Sequence, residues 1–188
     1  APSLVGSEMC IRDRDYSFFK SSDEDLFSMI NKNFFLASVI IFAILSRFIP
    51  HPPNFSPIAA IALLSGHGFT NRWLAFLVPI VSLFISDIFL GLHSTIPFVY
   101  GSFFLIALLG IKVKKISVGI VLLSSLIFFL ISNFGVWLLS YPITFKGFLA
   151  CYTLAIPFFF NTILGDLTYS ILLIYPFYAL QKKNLITA

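Results

Sequence analysis

Long stretches without a charged side chain dominate this sequence and limit what it can fold into. No Asp, Glu, Lys or Arg occurs between Lys115 and Lys146, and only Asp166 interrupts the run from there to Lys182. A water-soluble domain needs charged residues on its surface, so lipid must be the solvent around these stretches. The sequence therefore predicts an integral membrane protein.

The overall composition agrees with this prediction. The 188 residues are 59% hydrophobic and 11% charged, with a mean hydropathy of +0.97, whereas about 25% of residues are charged in soluble domains. This excludes a soluble enzyme, a disulfide-stapled secreted domain and a nucleic-acid binder. The net charge of +4 comes from 12 Lys and Arg against 8 Asp and Glu, mostly between apolar segments. These charges indicate orientation in a lipid bilayer rather than an anionic partner.

The N-terminal residues differ in composition from the rest. Residues 1–14 are polar and aperiodic, and the letters VGSEMCIRD within them resemble translated adaptor sequence. We therefore expect a non-native tail there and exclude it from the fold. In residues 15–32, Ser22 precedes three acidic residues and an apolar run, which predicts a short capped helix in the cytoplasm or at the membrane surface. Residues 33–182 remain as the membrane domain.

Six apolar segments divide this domain, and they predict an all-α bundle of six transmembrane helices. They are Asn33–Ile49, Ser56–Phe69, Trp73–Leu90, Pro97–Ile111, Ile116–Leu139 and Ile156–Leu180. Several are shorter than the ~20 residues that cross a typical bilayer. The second is short and rich in small residues, which predicts a tightly packed or re-entrant helix.

A further apolar stretch, residues 148–156, leads through Pro157 into the last segment. The combined run is too long for one straight helix. Because proline disrupts helix interiors, we predict a half-helix or lid joined at Pro157.

The distribution of basic residues predicts the orientation. With six spans, alternate loops lie on the same side as both termini. When the tail at residues 1–14 is left out, that side holds eight basic residues against two on the other side. The eight are Lys20, Lys32, Arg72, Lys112, Lys114, Lys115, Lys182 and Lys183; the two are Arg47 and Lys146. Cytoplasmic loops carry the excess of Lys and Arg. We therefore expect a multi-pass protein of the bacterial inner membrane with both termini in the cytoplasm.

Polar residues collect at the predicted outer end of the bundle. The first outer loop, residues 47–57, is rich in proline, and the second follows the end of the third segment. Asn133 and Trp137 are four apart and hence share one helix face. We predict a polar pocket that opens outwards, with these substrate-binding candidates: Arg47, Asn54, Asp87, His93, Asn133, Trp137, Asn161 and Asp166.

Two acidic residues lie within the membrane domain. A carboxylate at mid-bilayer costs about 2.5–3.5 kcal/mol, so each should face the bundle interior with a partner or a proton. Arg47 lies at a depth similar to that predicted for Asp87. The two residues could form an ion pair that joins two helices, or they could belong to a ligand site. Asp166 has no basic residue at its depth. Hydrogen bonds from Thr162, Asn133 or Tyr169, a proton or a ligand must therefore stabilise it.

The spacing of residues in the sequence indicates neither a metal site nor a catalytic motif. His51 and His93 lie in outer loops without a third ligand at a suitable position, so we expect interfacial residues and no metal site. Cys10 and Cys151 form neither a disulfide framework nor a zinc motif. The sequence also contains no signature of the common membrane hydrolases and no Walker A loop. We therefore expect no enzymatic activity and no cofactor.

Five blocks of sequence resemble an uncharacterised family of bacterial six-helix membrane proteins. The blocks are RFIPHPPNFSPIAAIA at residues 47–62, SDIFLGLH at 86–93, NFGVW at 133–137, YPIT at 141–144 and ACYTLAIPFFFNTILGD at 150–166. That family is similar to the substrate-binding S components of energy-coupling factor (ECF) transporters. The alanine-spaced motif by which many S components contact their partner is not evident in Asn33–Ile49. The nearest pattern of small residues, Ala59, Ala62 and Gly66, lies in the second segment.

The resemblance implies a six-helix, S-component-like capture subunit for a vitamin-like solute. It also implies an energising transmembrane subunit with two ATPases as partner. Two alternatives stay open at this point: a stand-alone proton- or cation-coupled carrier that uses Asp166, and a non-transporting membrane enzyme or assembly factor.

Overall fold

The computed structural model describes Phe34 and residues 37–42, 44–50, 52–69 and 71–182. The predicted segments 1–14 and 15–32 and the loop residue His51 lie outside the described residues. All regular structure in the described part of the chain is α-helical. The six helices are α1 (Ala37–Ser46), α2 (Ile58–Gly68), α3 (Arg72–Leu90), α4 (Ile96–Lys112), α5 (Val118–Ser140) and α6 (Phe145–Lys182).

Three of these helices are long and apolar enough to cross a membrane. They are α3, α5 and α6, with 19, 23 and 38 residues. Large apolar side chains point outwards from them, including Trp73 on α3 and Ile171 on α6, which are 82% and 69% exposed. Such apolar outer surfaces are consistent with a location in a membrane. The other three helices are shorter, with 10, 11 and 17 residues for α1, α2 and α4.

Helix α2 lies at the centre of the bundle and packs against α3, α4, α5 and α6. Every residue of α2 except His67 is buried, as expected for a helix that is apolar on all sides. Its 11 residues extend only about 16 Å, roughly half the ~30 Å hydrocarbon core. The prediction of a short, tightly packed second helix is confirmed.

Glycines allow a close backbone contact where α2 crosses α4. A Cβ atom built on Gly110 would lie 3.1 Å from Gly66 Cα and closer still to the Leu63 carbonyl oxygen. A Cβ atom built on Gly66 would overlap the Ala107 carbonyl oxygen in the same way. The two backbones can therefore touch only because both positions lack a side chain.

Helix α6 corrects one prediction about the last segment. Residues 148–156 do not form a separate half-helix or lid, because a single helix runs from Phe145 to Lys182 through Pro157 and Pro176. A proline removes one backbone hydrogen bond, and neighbouring helices can compensate for that loss within a packed membrane bundle. Aromatic contacts join α5 and α6 before Pro157, where Phe148 packs on Trp137 at a centroid distance of 5.4 Å.

The predicted inner end of the bundle is held together by a partly buried cluster of hydrogen bonds. The Tyr178 hydroxyl accepts a hydrogen bond from the Ile116 backbone N–H at 2.9 Å and lies 3.2 Å from His67 Nε2. The other ring nitrogen, Nδ1, lies 3.2 Å from the Val113 carbonyl oxygen. The loop between α4 and α5 is therefore fixed against α2 and α6 at this end. The opposite end contains the polar residues described next.

Candidate functional site

A cavity of about 390 Å³ lies at the predicted outer end of the bundle. Its walls come from the segment between α1 and α2, the first turn of α2, the end of α3 with the loop that follows it, the first half of α4, and the middle parts of α5 and α6. The lining residues are Arg47, Asn54, Ser56, Ile58, Ala59, Leu83, Asp87, Leu90, His93, Val99, Phe103, Phe128, Thr162 and Asp166.

The proline-rich loop between α1 and α2 reaches the cavity because it lies directly on α6. Asn54 adopts a left-handed backbone conformation with φ of 66°, which asparagine tolerates better than most residues. On the facing helix, a Cβ atom built on Gly165 would lie 3.0 Å from Phe55 Cα. Gly165 thus lets the loop backbone approach α6 next to Asp166, and the loop forms part of the cavity wall.

An ion pair occupies one side of the cavity. Arg47 Nη2 lies 2.8 Å from Asp87 Oδ1, which confirms the predicted pairing of these two residues. The Tyr100 hydroxyl donates to the other carboxylate oxygen, Oδ2, at 2.9 Å. The Asp87 side chain is 2% exposed and that of Arg47 is 19% exposed. The Asp87 carboxylate is therefore satisfied on both oxygens by protein groups.

The Arg47 guanidinium is less completely satisfied. Its Nη1 atom is buried and has no hydrogen-bond partner in the part of the chain that the structure describes. A buried donor without an acceptor costs about 1–3 kcal/mol. Arg47 is one of the residues that line the cavity, and a bound molecule whose acceptor atom reaches Nη1 would remove that cost.

Asp166 lies on the α6 side of the cavity and is 2% exposed. Ser125 of α5 donates a hydrogen bond of 2.6 Å to its Oδ2 atom. This corrects the predicted hydrogen-bond partners. The Thr162 hydroxyl and the Asn133 amide each donate to a carbonyl of their own helix, and the Tyr169 ring packs against aromatic neighbours. Among the described residues, no cation forms an ion pair with Asp166.

The surface between these two polar groups is mainly apolar. Phe103 and Phe128 form one aromatic wall, with ring centroids 5.2 Å apart, and aliphatic side chains from α2, α3 and α4 form most of the remainder. A concave, largely apolar surface with a few convergent polar groups is typical of small-molecule sites. The described residues contain no group of three His, Cys, Asp or Glu side chains that could hold a metal ion.

The structure brings five of the eight predicted site residues to this cavity: Arg47, Asn54, Asp87, His93 and Asp166. It does not bring the other three. Trp137 Nε1 donates to the Pro142 carbonyl at 3.2 Å, on the contact between α5 and α6. Asn133 and Asn161 are half-buried and do not line the cavity.

Several residues at the site could not be predicted from the sequence. Ser125 and Tyr100 bind the two carboxylates, while Phe103 and Phe128 form the aromatic wall. For Ser125, one signal was present, because a serine pair interrupts an otherwise apolar segment and polar side chains within membrane helices tend to face the protein interior. Phe103 and Phe128 could not be distinguished from other phenylalanines by sequence, because the chain contains 24 of them.

Comparison with known proteins gives one assignment. No curated protein and no solved structure matches the chain significantly. A family model, in contrast, matches residues 27–187, which include all six helices and every residue that lines the cavity. The chain therefore belongs to the family of unknown function DUF6580.

Proposed function

We propose that this protein captures a small solute from the outer side of the bacterial inner membrane and binds it in the cavity between Arg47, Asp87 and Asp166. The observation that carries the proposal is the Asp166 carboxyl group, which is buried in an apolar helix, lines the cavity and has no cationic partner among the described residues. Intramembrane ionisable residues are rare and usually functional because they are costly to bury.

The six-span topology with both termini in the cytoplasm is part of this proposal. Its support is the distribution of charge along alternating helices. Arg72, Lys112, Lys114 and Lys115 lie at the helix ends and in the loop opposite the cavity, which the positive-inside rule assigns to the cytoplasm. Since α2 is too short to cross alone, it would complete its passage with the flanking loops inside the protein, where irregular backbone is tolerated.

The orientation can be measured by cysteine labelling. In a chain with Cys10 and Cys151 replaced by serine, we expect Ser94→Cys to react with a membrane-impermeant maleimide in intact cells. Lys114→Cys should react only after permeabilisation. Both positions are exposed in the structure, so accessibility of the side chain does not separate them. The reverse labelling pattern would place the cavity on the cytoplasmic side and contradict capture from outside.

The role of Asp166 tests the binding proposal directly. We expect Asp166→Asn to keep the fold, because the amide nearly preserves shape and removes the burial penalty of a carboxylate. Solute affinity should fall at least tenfold, which corresponds to about 1.4 kcal/mol. Thr168→Ala, an exposed position on the same helix, is the matched control. Affinity and melting temperature are measured on the same purified sample, with solute identified by mass spectrometry of retained small molecules.

An unchanged affinity in Asp166→Asn, within about twofold or roughly 0.4 kcal/mol, would contradict the proposed role. A lowered melting temperature with unchanged affinity would assign Asp166 to helix packing instead.

We extend the proposal to a capture subunit similar to the S components of ECF transporters, with a separate transmembrane subunit and ATPases as the energy source. The resemblance of the five sequence blocks between residues 47 and 166 to a family similar to those S components supports this view. The competing candidate is a proton- or cation-coupled carrier, which the burial of Asp166 also favours. Reconstitution alone in liposomes separates the two, because only the carrier would accumulate solute under an ion gradient.

A further inference from the structure

The charges that line the cavity do not balance. Among the described residues, three formally charged side chains contribute to its wall, namely Arg47, Asp87 and Asp166. The first two form an ion pair with each other, and their charges cancel. The carboxylate of Asp166 remains, so with Asp166 ionised these three side chains leave one net negative charge on the cavity wall.

Little in the wall around Asp166 offsets this charge. Ser125 supplies one hydrogen bond to Oδ2, and the aromatic rings of Phe103 and Phe128 form part of the same wall. A neutral hydroxyl donor stabilises a carboxylate but does not neutralise it. A cation would do so, and the faces of aromatic rings also attract cations when water is excluded.

A different requirement exists at Arg47. Its buried Nη1 atom offers a donor without an acceptor in the described residues, whereas the charge of the guanidinium is already matched by Asp87. The unmet need at this side is therefore a hydrogen-bond acceptor, not a second negative charge. A carbonyl, hydroxyl or ring-nitrogen acceptor would satisfy it.

From these two requirements we infer that the solute is an organic monocation, with its cationic group at Asp166 and a neutral hydrogen-bond acceptor at Arg47. This inference rests on the proposed capture function and specifies its substrate class. The cavity volume of about 390 Å³ falls at the small end of ligand sites. An anionic solute would meet the uncompensated Asp166 carboxylate and is disfavoured by like-charge repulsion.

The test uses the purified full chain in mild detergent and a total small-molecule extract of bacterial cells. The extract is separated by ion exchange at pH 7 into cationic, anionic and uncharged fractions, and each fraction is assayed for a rise in melting temperature and for retained compounds. We expect the cationic fraction to carry the binding activity. Activity confined to the anionic or the uncharged fraction would overturn the monocation assignment while leaving capture intact.

Two variants test the two ends of the solute. Asp166→Asn should lower binding from the cationic fraction at least tenfold. Arg47→Lys should retain a cation for Asp87 but replace the forked guanidinium, and we expect at least a threefold loss of binding with little change in melting temperature. Undiminished binding of the cation by Asp166→Asn would overturn the assignment. Thr168→Ala serves as the control that binds normally.

The outcomes also separate this inference from the function on which it rests. If no fraction raises the melting temperature and no compound is retained, the capture function itself is contradicted. If the uncharged fraction binds equally well to the wild-type chain and to Asp166→Asn, the carboxyl group carries a proton and the monocation assignment is wrong.

Discussion

Alanine at position 110 is expected to disrupt the bundle, whereas alanine at position 101 of the same helix should be tolerated. A Cβ atom on Gly110 would press against the backbone of α2 at Leu63 and Gly66, and a backbone cannot move aside as a side chain can. Overpacking of this kind costs about 1–3 kcal/mol and occasionally more. Since α2 contacts four other helices, its displacement would disturb the whole core, and we expect a loss at the upper end of this range.

Gly101→Ala is the matched control for this prediction. A Cβ atom there meets nothing within 4 Å, and alanine stabilises helices relative to glycine by roughly 0.5–1 kcal/mol. The two substitutions should therefore change stability in opposite directions. Unfolding can be followed in detergent with a thiol-reactive dye that reports exposure of the buried Cys151, in a Cys10→Ser chain. Equal melting temperatures for the two variants would contradict the described contact between α2 and α4.

Arg47→Met is expected to lower the free energy of unfolding by about 3 kcal/mol, because removing one partner of a buried ion pair leaves the other charge uncompensated. Asp87 is 2% exposed and would keep a single hydrogen bond, from Tyr100. Lys146→Met removes an exposed cation at the same end of the bundle and should change stability by less than about 0.5 kcal/mol.

A double variant separates two effects of Arg47→Met, namely the loss of attraction between the two side chains and the burial of the Asp87 carboxylate without a cation. Asp87→Asn in the Arg47→Met background removes the uncompensated carboxylate, so we expect it to restore most of the stability. The measurement is thermal unfolding of the wild-type chain, Arg47→Met, Lys146→Met and the double variant under the same detergent conditions. A double variant no more stable than Arg47→Met would mean that the pair does not act through the buried charge of Asp87.

The apolar, helical character of the protein and the polar end of its bundle could be predicted from the sequence alone. Hydropathy depends on local composition, so the charge-free runs identify the apolar helices without any knowledge of their packing. Arg47 could be paired with Asp87 in the same way, because both lie near the outer ends of apolar segments at a similar predicted depth. It also identified α2 as tightly packed, since small residues permit close contact between helices. Three of the six predicted spans are long enough to cross a membrane in the structure.

Which side of each helix faces inwards could not be predicted from the sequence and depends on how the helices pack together. A helix that is apolar on all sides lacks the polar stripe that would fix its rotation about its own axis. For this reason the sequence could not show that Ser125 meets Asp166 across 41 positions, or that Trp137 packs at the contact between α5 and α6 instead of at the cavity. The continuity of α6 through Pro157 was equally a matter of tertiary context, because a local rule predicts disruption at proline and packing by neighbouring helices offsets it.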